Sequence, residues 1–420
     1  MQLRPLAEAA WQSQCMSRRE CRRRGNLDGP GALLGPALFW ARHSSGNESR
    51  PHSVLPSCTQ RERPKVTQAW LNRIGTAVPP HDIHAEFIDF ARSALPDARA
   101  TALFDRMVAV ADIEHRYSFL EPGPKPRDHF LDSERFYRRG DFPSTGDRMA
   151  RFESEALALA LQAIAALDIT RDRAAITHLI VASCTGFTAP GLDFQIMHAA
   201  GLAPSVERTI VGFMGCFAAV NALKLARHIV RSEPHAKVLV VNLELSGLHL
   251  QEQWELEKML SFLLFGDGCG ACLVSAEPFG LALDRFHATV IPRTAELITW
   301  HIRDQGFEMH LSGQVPGRIR RWLMEHGATL LGNHTANDIS LWAVHGGGRS
   351  ILDAVQHGLA LPPHALRFSR DVLRQFGNMS SATLVFVLDR ILRSPARSGD
   401  GMAMAFGPGL TVETFAFHLP

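Results

Sequence analysis

Three side chains in this sequence have the type and setting to carry out acyl transfer: Cys216, His345 and Asn378. Cys216 stands between a β-type run ending at Met214 and an uninterrupted Ala- and Leu-rich run from Phe217 to Arg231, and Gly215 allows an abrupt turn between them. A cysteine at a helix start faces unpaired backbone N–H groups, which favour the thiolate, its nucleophilic form. His345 ends the apolar strand ISLWAVH and is followed by three glycines, which leave its ring uncrowded and let a ligand or another backbone come close. Asn378 follows Gly377 and precedes the apolar run SSATLVFVLDRIL. Taken singly, each has a plainer reading: a small core filler, a hydrogen-bonded strand end and a helix N-cap.

Spacing draws the three together. The strand ending at Cys184 is followed by the Gly215-Cys216 turn at nearly the interval that separates the strand ending at His345 from the Gly377-Asn378 turn. Each turn opens an apolar helix and leads to a hydrophobic strand, 238–245 or 402–406. A further strand then follows Phe-Gly-Asp-Gly at 265 or Phe-Gly-Pro-Gly at 406. A repeated unit of this kind implies two similar halves packed about a pseudo-twofold axis, which brings Cys216, His345 and Asn378 to one centre. Strands alternating with helices predict a layered α/β fold.

Composition bounds the rest. A chain of 420 residues with 46% hydrophobic content and a net charge of +2 is an ordinary globular sequence, without the footprint of a nucleic-acid or membrane-surface binder. Seven cysteines, an odd number in a chain this long, argue for a reducing, cytoplasmic setting over a secreted disulfide framework. Cys269 and Cys272 alternate within an apolar strand and have no second ligand pair nearby, so no metal site is expected. Residues 1–66, with Arg clusters and no sustained periodicity, are expected to form a disordered extension. Two halves follow, 67–279 with the cysteine and 280–420 with the histidine and asparagine. Within the first, 117–148 reads as a long ordered loop and Ser154 to Leu167 as a helix.

Cys216 in GCFAAVNALKLA, His345 in AVHGGG, Asn378 in GNMSSA, Phe265 in LFGDG and the segment FGPGLTVET at 406–414 together resemble a type III polyketide synthase, a bacterial-type member of the chalcone and stilbene synthase family. The resemblance runs from about Trp70 to the C-terminus. It implies a thiolase-like five-layer α-β-α-β-α sandwich with two pseudo-duplicated halves, a homodimer, and an acyl-CoA starter with malonyl-CoA as substrates and no resident cofactor. Cys216 would carry the acyl chain, paired with His345 as thiolate and imidazolium at neutral pH. His345 and Asn378 would stabilise the enolate left when malonyl loses CO2, and the product would close to a pyrone, resorcinol or chalcone-type ring.

The resemblance also implies substrate contacts. Phe265 matches an aromatic gate, Ser380 a cavity residue, and Phe406, Gly407, Pro408 and Gly409 a loop beside the site. Met309 stands where a second gating Phe is common, Trp300 where glycine is common and His249 where threonine is common, so the cavity departs from the plant pattern. Arg106 matches one of three basic CoA-binding positions, while Leu103 and Val110 occupy the other two. Competing readings are a ketoacyl-ACP synthase III-like condensing enzyme, marked by dependence on an acyl carrier protein, a cysteine hydrolase, marked by release of free acid, and a non-catalytic binding protein.

Overall fold

The structure, a computed structural model, describes residues 67–125, 129–253, 258–259, 263–332, 334–395 and 398–420. The extension expected over 1–66 lies outside them. In chain order the first elements are β1 (Trp70–Ala77), β2 (His81–Asp82), α1 (His84–Ser93), α2 (Ala98–Ala111), β3 (Tyr117–Ser118), α3 (Thr145–Leu167), β4 (His178–Ser183), α4 (Leu192–Ala199), β5 (Glu207–Gly212), α5 (Ala218–Ser232), β6 (Val238–Leu245) and β7 (Asp267–Ser275). The chain continues through β8 (Leu281–Val290), β9 (Ile298–Arg303), β10 (Gly306–Leu311), α6 (Val315–Leu331), β11 (Leu341–Val344), α7 (Arg349–Gly358), α8 (Arg367–Phe376), α9 (Ser381–Arg393), β12 (Gly399–Gly407) and β13 (Thr411–Leu419).

Nine strands join in the order β11-β12-β13-β8-β1-β7-β6-β4-β5. Outward from β1 the pairings run antiparallel to β7, antiparallel to β6, then parallel to β4 and β5. Outward from β8 they run antiparallel to β13, antiparallel to β12, then parallel to β11. The repeat read from the sequence is thus a repeat of pairing, except that β5 has no counterpart. The two sets meet only where Trp70 pairs with Ala282 and Leu71 with Leu281.

Helices α5 and α9 form the middle layer. Ten of the thirteen residues of α9 are buried, and a helix apolar on every side belongs inside a protein. It packs against β1, β6, β7 and β11, while α5 packs against β4, β6, β7 and β13, so each central helix touches strands from both sets. Outside them, α3 covers the other face of β1, β6 and β7. This is the layered, thiolase-like arrangement expected.

The contact between β1 and α3 is backbone on backbone. A Cβ added at Gly75 would lie 2.1 Å from the Leu167 nitrogen and 2.4 Å from the Ala163 oxygen. Neither atom belongs to a side chain that can turn aside, so Gly75→Ala is expected to cost about 3 kcal/mol by forcing helix and strand apart. Chemical or thermal unfolding checks this; an unchanged midpoint would mean that the two elements are not in contact.

One local expectation is corrected. The loop expected over 117–148 ends at Ser144, because Ser144 and Asp147 form a reciprocal capping box that starts α3 at Thr145, well before Ser154. The hairpin of β9 and β10 was not anticipated at all. Among the described residues, no helix is long and apolar enough to cross a membrane.

Candidate active site

The turn that presents Cys216 is held open by glycine. After β5 the chain passes through Phe213 and Gly215, both at positive φ (58° and 82°), and α5 begins only at Ala218. Cys216 therefore stands just ahead of the helix. A Cβ at Gly215 would lie 2.5 Å from Pro408 Cδ, and one at Gly407 would lie 2.6 Å from the Phe217 ring and 3.5 Å from the Cys216 nitrogen. The Phe-Gly-Pro-Gly loop thus backs the cysteine turn directly.

His345 follows β11 and donates its N–H to the Met404 carbonyl at 2.8 Å. Its residue surface is 1% exposed, yet both ring nitrogens lack a hydrogen-bond partner among the described residues. A Cβ at Gly347 would lie 3.6 Å from His345 Nε2, so the glycine leaves that edge of the ring clear. Gly377, at φ 67°, repeats the role of Gly215. Asn378 is anchored by its N–H to the Leu264 carbonyl at 2.8 Å and by its own carbonyl, which accepts from Gly266 at 3.1 Å. Its Oδ1 accepts from the Ser380 N–H at 2.9 Å, which fixes the amide, and Nδ2 donates to the Gly347 carbonyl across a long 3.4 Å.

Cys216, His345 and Asn378 line one cavity of about 590 Å3. Phe265, His249, Trp300, Met309, Ser380, Phe406, Gly407 and Pro408 line it as well, but Gly409 and Arg106 do not. Arg106 is exposed and its Nε donates back to Ala102 of its own helix; the helix turns Met107, Val110 and Ala111 to the cavity instead.

Residues 57–278 match the family described as "Chalcone and stilbene synthases, N-terminal domain", and residues 283–420 match "Chalcone and stilbene synthases, C-terminal domain". The chain belongs to the chalcone and stilbene synthase family. It is 33% identical over 371 residues to bisdemethoxycurcumin synthase of Oryza sativa subsp. japonica, covering 82% of this chain and 91% of that one. It is 32% identical over 360 residues to an "Alpha-pyrone synthesis polyketide synthase-like" protein of Mycobacterium tuberculosis, covering 78% and 91%. Among solved structures it resembles PKS-I from the brown alga Ectocarpus siliculosus, with a TM-score of 0.74, 26% identity and coverage of 86% and 100%. The C-terminal type III polyketide synthase domain of Steely1 from Dictyostelium shares its fold, with a TM-score of 0.77, 24% identity and coverage of 84% and 99%. Members of this family are acyl-transferring condensing enzymes that use acyl-CoA substrates, and this chain is a type III polyketide synthase.

In this chalcone and stilbene synthase family member, one wall of the cavity is a fixed aromatic cluster. Trp300 and Met309 are direct cross-strand partners in the β9–β10 hairpin. The Trp300 indole donates to the Cys184 carbonyl at 3.0 Å. His249 stacks on Phe307 with ring centroids 4.1 Å apart. Its Nε2 bonds the Thr185 carbonyl at 2.7 Å, and its Nδ1 accepts from the Phe307 N–H at 3.0 Å. One nitrogen must donate and the other accept, so the ring is neutral and its tautomer is set. Burial pushes its pKa down to about 3.

The thiolate and imidazolium pair expected for Cys216 and His345 is not what the burial of these groups favours. Burial pushes the half-buried Cys216 thiol up to about 12; hydrogen bonding from Ser380 and Asn378 opposes the rise and the Glu244 carboxylate adds to it. Burial also pushes His345 down to about 4. Desolvation penalises both charged forms, so burial works against the pair in the free site.

Sequence reasoning did not single out Cys184, Thr185 or Glu244. Cys184 and Thr185 also line the cavity. The fully buried Glu244 accepts from the Cys184 N–H at 2.9 Å, the Thr185 hydroxyl at 3.0 Å and the Ser381 hydroxyl at 2.5 Å. It ties the end of β4 to the start of α9, and burial pushes its pKa up to about 7. The available signal was the internal repeat, which sets Cys184 in the place that His345 takes in the second half. Cys269 and Cys272 are buried on opposite faces of β7, in separate core clusters, and do not form a ligand pair.

Proposed function

We propose that Cys216 takes a starter acyl group from CoA and that the chain is then extended by decarboxylative condensation with malonyl-CoA. The observation that carries this reading is the convergence of Cys216, the unpartnered ring of His345 and the oriented amide of Asn378 on one cavity. As the sulfur attacks the starter thioester, its proton passes to His345 and from there to the departing CoA sulfur, leaving an acyl thioester on Cys216. Malonyl-CoA then loses CO2. The His345 Nε2–H and the Asn378 Nδ2–H donate to the enolate oxygen, which in this dry setting is worth several kcal/mol. The enolate carbon attacks the acyl-Cys216 carbonyl and releases the thiolate.

No resident cofactor enters this scheme, since the CoA thioesters are consumed. Ring closure gives a pyrone, resorcinol or chalcone-type product, and an α-pyrone is the one named for the mycobacterial relative. Purified protein given malonyl-CoA with short, aromatic and long-chain acyl-CoA starters should consume malonyl-CoA and release cyclic products by mass spectrometry. No consumption, or consumption only with an acyl carrier protein, would overturn the reading. Trp300→Gly is expected to shift the products upward by one or two acetate units; an unchanged ladder of masses would remove Trp300 from control of chain length.

The protein is read as a homodimer and as cytoplasmic. Phe187, Phe194, Ile210 and Met214 are exposed along the edge formed by β5 and its flanking segments, an apolar strip that fits a second copy. Cys184, Cys216, Cys269 and Cys272 are free thiols, in keeping with a reducing compartment. Sedimentation should return twice the chain mass of 46.3 kDa.

A further inference from the structure

The one basic residue expected to hold a CoA phosphate does not line the cavity. Arg106 is not among the lining residues, and α2 borders the cavity with Met107, Val110 and Ala111. A polyanionic substrate needs its charge met elsewhere at the cavity wall. The wall includes the start of α7, where Gly348, Arg349 and Ser350 line the space.

Three observations meet there. First, α7 is ten residues long and has no side-chain cap: Gly348 precedes it at φ 152°, and the Arg349 and Ser350 amides have no acceptor among the described residues. Unclaimed first-turn amides and the helix dipole favour an anion. Second, the charge of Arg349 is only loosely engaged. Its nearest carboxylate, Asp353, lies 3.7 Å from Nε but only 2.7 Å from Arg370 Nη2. The carboxylate is held chiefly by Arg370, and the 47%-exposed Arg349 side chain keeps most of its charge for a ligand. Third, His345, four residues before Arg349, is buried in the same cavity with both ring nitrogens unpartnered, so the space that α7 opens on is built to receive a ligand.

We propose that Arg349, with the open first turn of α7, binds a phosphate of the CoA moiety and takes the place of the basic face that α2 lacks. The guanidinium supplies charge-assisted hydrogen bonds and the Arg349 and Ser350 amides supply neutral ones. The proposal rests on the CoA-dependent reading of the site, and the test separates the two.

The measurement is malonyl consumption with two thioesters: malonyl-CoA, and malonyl-N-acetylcysteamine, which lacks every phosphate. Arg349→Ala is expected to raise KM for malonyl-CoA about tenfold with kcat within twofold, the loss of one charge-assisted contact. With malonyl-N-acetylcysteamine the variant should match the wild type, and Arg349→Lys should recover part of the loss on malonyl-CoA. Equal losses on both thioesters would mean that Arg349 only shapes the site, and an unchanged KM for malonyl-CoA would mean that it does not meet the phosphate. A larger loss from Arg106→Ala than from Arg349→Ala would return the role to α2. A wild type inert toward both thioesters refutes the functional reading itself, whereas an active wild type with an unaffected Arg349→Ala refutes this inference alone.

Discussion

Cys216→Ala is expected to abolish polyketide formation, lowering turnover by roughly a thousandfold or more, because it removes the nucleophile that the proposed reaction loads with the acyl chain. The change removes one sulfur from a half-buried position, and alanine suits the start of a helix, so the fold should survive. Mass spectrometry of the intact protein after incubation with starter acyl-CoA should show an adduct on the wild type and none on the variant. A variant that still condenses malonyl-CoA would place the nucleophile elsewhere. The thiol itself can be followed by pH. With burial pushing Cys216 up to about 12 and His345 down to about 4, both are expected to be neutral across the middle range, where the thiolate fraction grows about tenfold per pH unit. Alkylation by iodoacetamide should therefore keep rising from pH 7 to pH 10. A plateau near pH 7 would instead reveal a preformed thiolate and imidazolium pair.

Asn378→Asp is expected to be the second most damaging change, slowing decarboxylation of malonyl-CoA about a hundred- to a thousandfold. Its Oδ1 can keep the bond from the Ser380 N–H, so the side chain should stay in place. What it loses is the Nδ2–H aimed at the enolate oxygen, and what it gains is negative charge beside a substrate carboxylate and a developing enolate. Asn378→Ala loses the donor without adding the repulsion and should be the milder of the two. Acetyl-CoA release from malonyl-CoA, measured without a starter, isolates this step. Equal rates for Asn378→Asp and wild type would show that the amide does not touch the reacting oxygen.

Much of this site could be read from the chain because its features are local. Gly215 before Cys216 and Gly377 before Asn378 occupy left-handed backbone that glycine tolerates best. The three glycines after His345 mark a ring kept clear. The repeat of strands and helices was visible as spacing, and the fold displays it as a series of pairings made twice, with β5 added to the first. What escaped reading depends on packing between distant segments. Trp300 and Met309 face each other through a hairpin whose register no single-residue signal announced. Arg106 matched a motif by position, but the direction of a side chain on α2 depends on how that helix lies. The protonation of Cys216 and His345 is set by the walls around them, which sequence neighbours do not disclose. The start of α3, in contrast, was written in Ser144 and Asp147 and was simply overlooked.

The two ends of the nine-stranded sheet differ in kind. At one end β5 presents six residues that are mostly exposed, while at the other β11 is four buried residues long and its Val344 amide is already engaged by the Ser369 hydroxyl. Among the described residues the β5 margin is the open one, and a pairing of like to like there would consume it on both molecules. Association through this margin terminates at a closed pair and cannot propagate into a fibre.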